Sequence, residues 1–95
     1  MTYLFVGPTT CKLTTLGREY MGTLGVTQNG RTCQAWTARS PQVPFSSMQN
    51  SDFPEGSIAA ALNYCRNPDN SPNGPWCYTT TPSVKWEYCN VAFCG

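Results

Sequence analysis

Gly74-Pro-Trp-Cys-Tyr-Thr-Thr80, followed across Thr81-Pro-Ser83 by Val84-Lys-Trp-Glu-Tyr-Cys89, carries the densest signal in the chain. Both runs are short and rich in aromatic and β-branched residues, and Pro and Ser separate them. That pattern predicts a β-hairpin. In a regular strand alternate side chains share a face. Trp86 and Tyr88 then fall on one side, with Lys85 and Glu87 on the other. Each run also carries a cysteine, Cys77 or Cys89.

Four more cysteines lie outward from this stretch, at Cys11, Cys33, Cys65 and Cys94. They matter because the remaining composition cannot hold a fold unaided. Leu, Ile, Val and Phe together supply 15 of 95 residues, a thin core for so short a chain. Disorder would call for a high net charge as well, and the net charge is only +1. Three Trp, five Tyr and four Phe supply bulky apolar surface, and eight Gly with eight Pro supply turns. An even cysteine count in this setting reads as one small, loop-rich, disulfide-stapled domain, which places it in an oxidising compartment. A zinc site is the competing use of clustered cysteines. The chain has no His and no C-x2-C pair, so disulfides are the favoured reading. Six cysteines still leave 15 pairings open by spacing alone.

Charge excludes other classes of partner. Lys12, Arg18, Arg31, Arg39, Arg66 and Lys85 are scattered without a basic run, and nucleic-acid binding needs a concentrated positive field. No stretch approaches the roughly 20 apolar residues of a membrane span. Met1 to Val6 is apolar but too short for a signal-peptide core. The segment therefore reads as an excised piece of a longer secreted protein. No N-x-[ST] acceptor occurs, because Pro72 follows Ser71 and Asp52 follows Ser51.

Elsewhere the local signals are weak. Gly56-Ser-Ile-Ala-Ala-Ala-Leu62 predicts a single helical turn or a loop, with Ser57 as its cap. Tyr20 to Thr27 reads as a strand meeting the tight turn Asn29-Gly30 before Arg31-Thr32-Cys33. Ser40 to Glu55 is rich in Pro, Ser, Gln and Asn and reads as loop. Residues 1 to 10 lie outside the cysteine frame and read as a linker or an edge strand.

Cys11 to Cys94 resembles a kringle domain. The resemblance rests on Tyr20-Met-Gly-Thr23, Asn29-Gly-Arg-Thr-Cys-Gln-Ala-Trp36, Phe53-Pro54, Asn63-Tyr-Cys-Arg-Asn-Pro-Asp69, Gly74-Pro-Trp-Cys-Tyr78 and Lys85-Trp-Glu-Tyr-Cys89, in that order. The segment is similar to the kringles of plasminogen and apolipoprotein(a). This resemblance implies a small disulfide-rich fold, with loops and short antiparallel strands over residues 11–94. It also implies the bridges Cys11–Cys94, Cys33–Cys77 and Cys65–Cys89.

Kringles are non-catalytic binding modules, and many bind a lysine side chain or an ω-amino acid. Such a ligand is an ammonium and a carboxylate joined by methylenes. Its site needs an anionic end, an aromatic trough and a cationic end. Carried over by position, the resemblance implies Asp69 as the acid, Trp76, Tyr78 and Trp86 as the trough, and Lys85 as the cation. The family's second acid is replaced by Ser71, and its second cation has no match in Pro41-Gln-Val-Pro-Phe-Ser46. The groove is therefore degenerate. Implied partners are proteins, met through lysine side chains or a C-terminal lysine, with no cofactor and no metal. The isolated domain is expected to be a monomer.

Plainer roles compete with these. Trp36 reads as core beside the bridges, with Phe53, Tyr64 and Leu62 as further core candidates. Trp76 is equally a core residue by its position next to Cys77. Asp69 is also a turn cap in Asn-Pro-Asp-Asn, and Lys85 a solvated strand residue. Gly30 and Gly74 are turn residues on either reading. Catalysis has little support: His is absent, the five acids form no pair motif, and no C-x-x-C occurs. Two functions remain: a lysine-recognising adhesion module, or a kringle serving as spacer or contact module through another face.

Overall fold

The computed structural model describes residues 10–95. The segment expected to be a linker or edge strand lies, except for its last residue, outside the described residues. Two strands form the one regular sheet among the described residues, β1 at Trp76–Tyr78 and β2 at Trp86–Tyr88. They pair antiparallel in the register Trp76 with Tyr88, Cys77 with Glu87 and Tyr78 with Trp86. This is the expected hairpin. Its far edge is not bare. Arg66 bridges to Trp76 and Cys33 bridges to Thr79, so β1 is central and fully buried while β2 is the partly exposed edge.

Three disulfides join Cys11 to Cys94, Cys33 to Cys77 and Cys65 to Cys89, spanning 83, 44 and 24 residues. This is the expected pairing. In the chain-entropy model, closing such loops removes roughly 4.5, 4.0 and 3.4 kcal/mol of unfolded-state freedom, with overlap among nested loops. The two inner bridges lie side by side, one of them rooted in β1 at Cys77, with the Cys33 and Cys65 sulfurs 3.8 Å apart. Cys33, Cys65 and Cys77 are 0–2 % exposed, so the bridges form the middle of the core.

Aromatic rings surround that sulfur centre. Trp36 is buried as expected and meets Phe53, Trp76 and Tyr78 edge-on, with centroids 5.3, 5.1 and 5.9 Å away. Its indole Nε1 donates to the Tyr64 carbonyl at 2.7 Å, which satisfies the ring's one polar atom. Phe53 is buried and Tyr64 half-buried. Leu62 departs from expectation. It ends the short 3-10 turn Ala59–Ala61 at φ 49°, and its side chain is 53 % exposed. A left-handed residue redirects the chain, so Leu62 points away from the face that Ala61 buries. Ser57 serves that turn as expected, its Oγ accepting from the Ala60 N–H.

The Asn29-Gly30 turn forms, with Gly30 at φ +83° and its N–H donating to the Thr27 carbonyl. The flanking strand reduces to one bridge between Val26 and Thr32. Ser40 to Glu55 is loop with one 3-10 turn at Asn50–Asp52. This loop is nevertheless anchored. Buried Gln42 donates from Nε2 to the carbonyls of Thr79, Thr81 and Val84, at 3.3, 3.0 and 3.2 Å. One amide thereby ties the loop to the hairpin's turn and fixes where the following residues lie.

Candidate functional site

A hollow of about 270 Å³ opens on the aromatic face of the hairpin. Asp69, Trp76, Tyr78, Lys85 and Trp86, the five residues expected at a ligand face, all line it, together with Ser71 and Phe45. The pairing register explains the aromatic part. Trp76, Tyr78 and Trp86 lie on one face because each is an odd step from Cys77 or Glu87. Glu87 faces the other way and accepts from Thr27, Asn29 and Arg31. Lys85 departs from the alternation that would pair it with Glu87. It precedes the first residue of β2, and it borders the hollow beside Trp86.

Floor and wall differ in burial. Trp76 and Tyr78 are each 4 % exposed, whereas Trp86 is 44 % exposed. Trp76 is therefore both core and floor, and Trp86 supplies the free ring face. The rings meet edge-on, Trp76 to Tyr78 at 5.0 Å and Trp76 to Trp86 at 5.8 Å. Tyr78 Oη accepts from the Phe45 N–H at 3.0 Å. Burial pushes the Tyr78 hydroxyl above its ordinary pKa; that N–H opposes the shift, and the nearby Asp69 charge adds to it. The floor is thus neutral across the physiological range.

Asp69 sits on a loop that another residue organises. Asn67 is 1 % exposed; its Nδ2 donates to the carbonyls of Leu16 and Ser71, and its Oδ1 accepts from the Ser71 N–H. Asn70 completes the turn at φ 61°, a conformation Asn tolerates. The turn-capping role expected of Asp69 falls to Asn67 instead. Asp69 Oδ1 accepts from the Trp76 indole at 3.0 Å and from Ser71 Oγ at 2.7 Å. Among the described residues, Oδ2 accepts no hydrogen bond. Ser71, the position at which the resemblance implies a second acid, donates instead to Asp69. Lys85 is exposed; its carbonyl accepts from the Thr79 N–H, and its ammonium has no hydrogen-bond or ion-pair partner among the described residues.

Phe45 is the lining residue that reading the sequence passed over. A lone aromatic in a polar loop was the available signal, and the Gln42 anchor that brings it to the groove is tertiary. The four sulfurs of Cys33, Cys65, Cys77 and Cys89 cluster within 4.8 Å, but all four are used in the two inner bridges. None is a thiolate that a metal would require.

The family model for the kringle domain matches residues 11–94. The chain belongs to the kringle family. It is similar to the human protein described as apolipoprotein(a)-like protein 2, at 51 % identity over 81 residues. That alignment covers 83 % of this chain and 56 % of the relative, so the kringle spans about half the length of that protein. The fold agrees with the family assignment in its three bridges and its small antiparallel sheet, as the motifs implied. Kringles generally mediate protein–protein binding and are non-catalytic modules. No helix among the described residues is long and apolar enough to cross a membrane.

Proposed function

We propose that this kringle is a non-catalytic, extracellular binding module whose aromatic hollow receives a lysine side chain of a partner protein, with weak affinity for free lysine analogues. The carrying observation is the hollow itself, which has one carboxylate, one ammonium and an aromatic surface on its lining. An incoming ammonium meets Asp69 Oδ2, its methylenes lie over Trp86 and the Trp76–Tyr78 floor, and a carboxylate meets Lys85. Cation–π attraction from Trp86 adds about 0.5–2 kcal/mol. A single acid compensates the desolvated ammonium only in part, since charge-assisted hydrogen bonds contribute about 1.5–3 kcal/mol each. Three disulfides and kinship with an apolipoprotein(a)-like protein support the secreted setting.

A second reading has its own support. Asp69 Oδ1 already holds two internal donors, which favours a structural carboxylate and a domain that makes contacts through another face. Titration with 6-aminohexanoate, followed by Trp fluorescence, separates the two. On the lysine reading the wild type binds weakly, Ser71→Asp binds about tenfold tighter or more, and Trp86→Ala loses the response. If Ser71→Asp gains nothing and Trp86→Ala is equally silent, the hollow is not a lysine site.

A further inference from the structure

A second hollow, of about 390 Å³, shares the Phe45 side chain with the first as a common wall. Its apolar lining comes from the half-buried Phe45, Met48 and Ile58, over the edge of Trp36. Its one charged lining residue is Arg39. The other four cations each have work elsewhere. Arg31 pairs with Glu87 and Arg66 with Glu55, Arg18 donates to Asn70 and to the Asp52 carbonyl, and Lys12 lies over the Phe93 ring. Among the described residues, the Arg39 guanidinium and the Lys85 ammonium alone have no hydrogen-bond or ion-pair partner, and they line the two adjoining hollows.

We infer that the second hollow is an acidic-residue subsite continuous with the first, so that the domain takes a peptide segment rather than a single side chain. The segment carries a lysine and, about two or three residues away, a glutamate with an apolar neighbour. The spacing follows from the geometry of an extended chain. Two hollows separated by one ring are a short step apart, and each residue spans roughly 3.3 Å. The chemistry follows from the lining. Apolar walls take the neighbour's side chain, and an unpaired guanidinium beside them accepts a carboxylate in a bidentate fork. The lysine end of this inference rests on the proposed function, whereas the glutamate end does not.

Nuclear magnetic resonance tests both ends separately. The Trp86 indole reports the first hollow, and the Met48 and Ile58 methyl groups report the second. The probe is acetyl-Lys-Ala-Leu-Glu-amide, with two relatives, one having norleucine for lysine and one glutamine for glutamate. The parent peptide is expected to shift both sets of signals. The norleucine peptide shifts the methyl groups alone, and the glutamine peptide binds about two- to fivefold more weakly, as suits a partly exposed ion pair. In Arg39→Gln that difference between glutamate and glutamine disappears, while 6-aminohexanoate binding is unchanged. Methyl signals that ignore the norleucine peptide, or an Arg39→Gln domain that still prefers glutamate, would overturn the subsite. Loss of the Trp86 response alone would overturn only the lysine reading.

Discussion

Two regions of this kringle use charge in opposite ways. Around Arg66 every charge is saturated. The guanidinium is 2 % exposed and forms a bidentate pair with Glu55. It donates to the Gly22 and Cys65 carbonyls and lies between the rings of Tyr20 and Tyr64. At the two adjoining hollows the Lys85 ammonium and the Arg39 guanidinium have no partner among the described residues, and Asp69 keeps one oxygen open. A buried ion with one partner missing destabilises a fold severely, so the interior tolerates no open valence. An exposed ion loses little when unpaired, so open valences persist only at a surface. The difference separates charge that holds the structure from charge available to a ligand.

Breaking the saturated region has the largest expected effect. Arg66→Ala leaves Glu55 and two carbonyls without their partner, and is expected to cost about 3–5 kcal/mol in denaturant melts. A loss under 1 kcal/mol would show that solvent replaces the guanidinium. Asn67→Ala comes next. It removes three hydrogen bonds from a buried turn, at an expected cost of about 2–3 kcal/mol, and it loosens the loop that carries Asp69. Its 6-aminohexanoate affinity should fall along with its stability.

Asp69→Asn sharpens the contrast. The amide keeps an oxygen for the Trp76 indole and Ser71 Oγ, so stability should change by about 0.5 kcal/mol or less. Binding of 6-aminohexanoate should fall about tenfold or more, because the charge is lost. Equal losses of stability and binding would put Asp69 with the structural charges.

The smallest effect concerns Glu87. The Thr27 hydroxyl, the Asn29 amide and the Arg31 guanidinium hold its carboxyl below the usual range. A carboxyl with a lowered folded-state pKa adds stability above its unfolded value near 4.3. That contribution fades as pH falls through the folded value. Melts of the wild type against Glu87→Gln should therefore converge as pH drops below about 4 and differ at neutral pH. A constant gap at every pH would assign the effect to packing.

Several parts of this architecture were legible because they are local. Alternation in Trp76–Tyr78 and Trp86–Tyr88 sets one aromatic face, and Gly30 at positive φ sets the separate turn between Val26 and Thr32. Leu62 is exposed although apolar character in an alanine run suggests burial, because its positive φ redirects the side chain. Arg66 read as one scattered cation. Its burial depends on Glu55, Tyr20 and Tyr64, which stand in separate segments.

The sequence by itself determined the kringle family, the three bridges that the family implies, the hairpin and the residue types of the aromatic hollow. The family and its bridges follow from the ordered motifs that resemble a kringle, and the hairpin and its aromatic face follow from alternation between neighbours along the chain. Only the tertiary structure decided that Phe45 divides two hollows, that Ser71 donates to Asp69, and that Asn67 rather than Asp69 holds the turn. It also decided which cations have partners. Each of these depends on hydrogen bonds and contacts between residues distant in sequence, and the bridges and the Gln42 anchor, not local preference, bring those residues together.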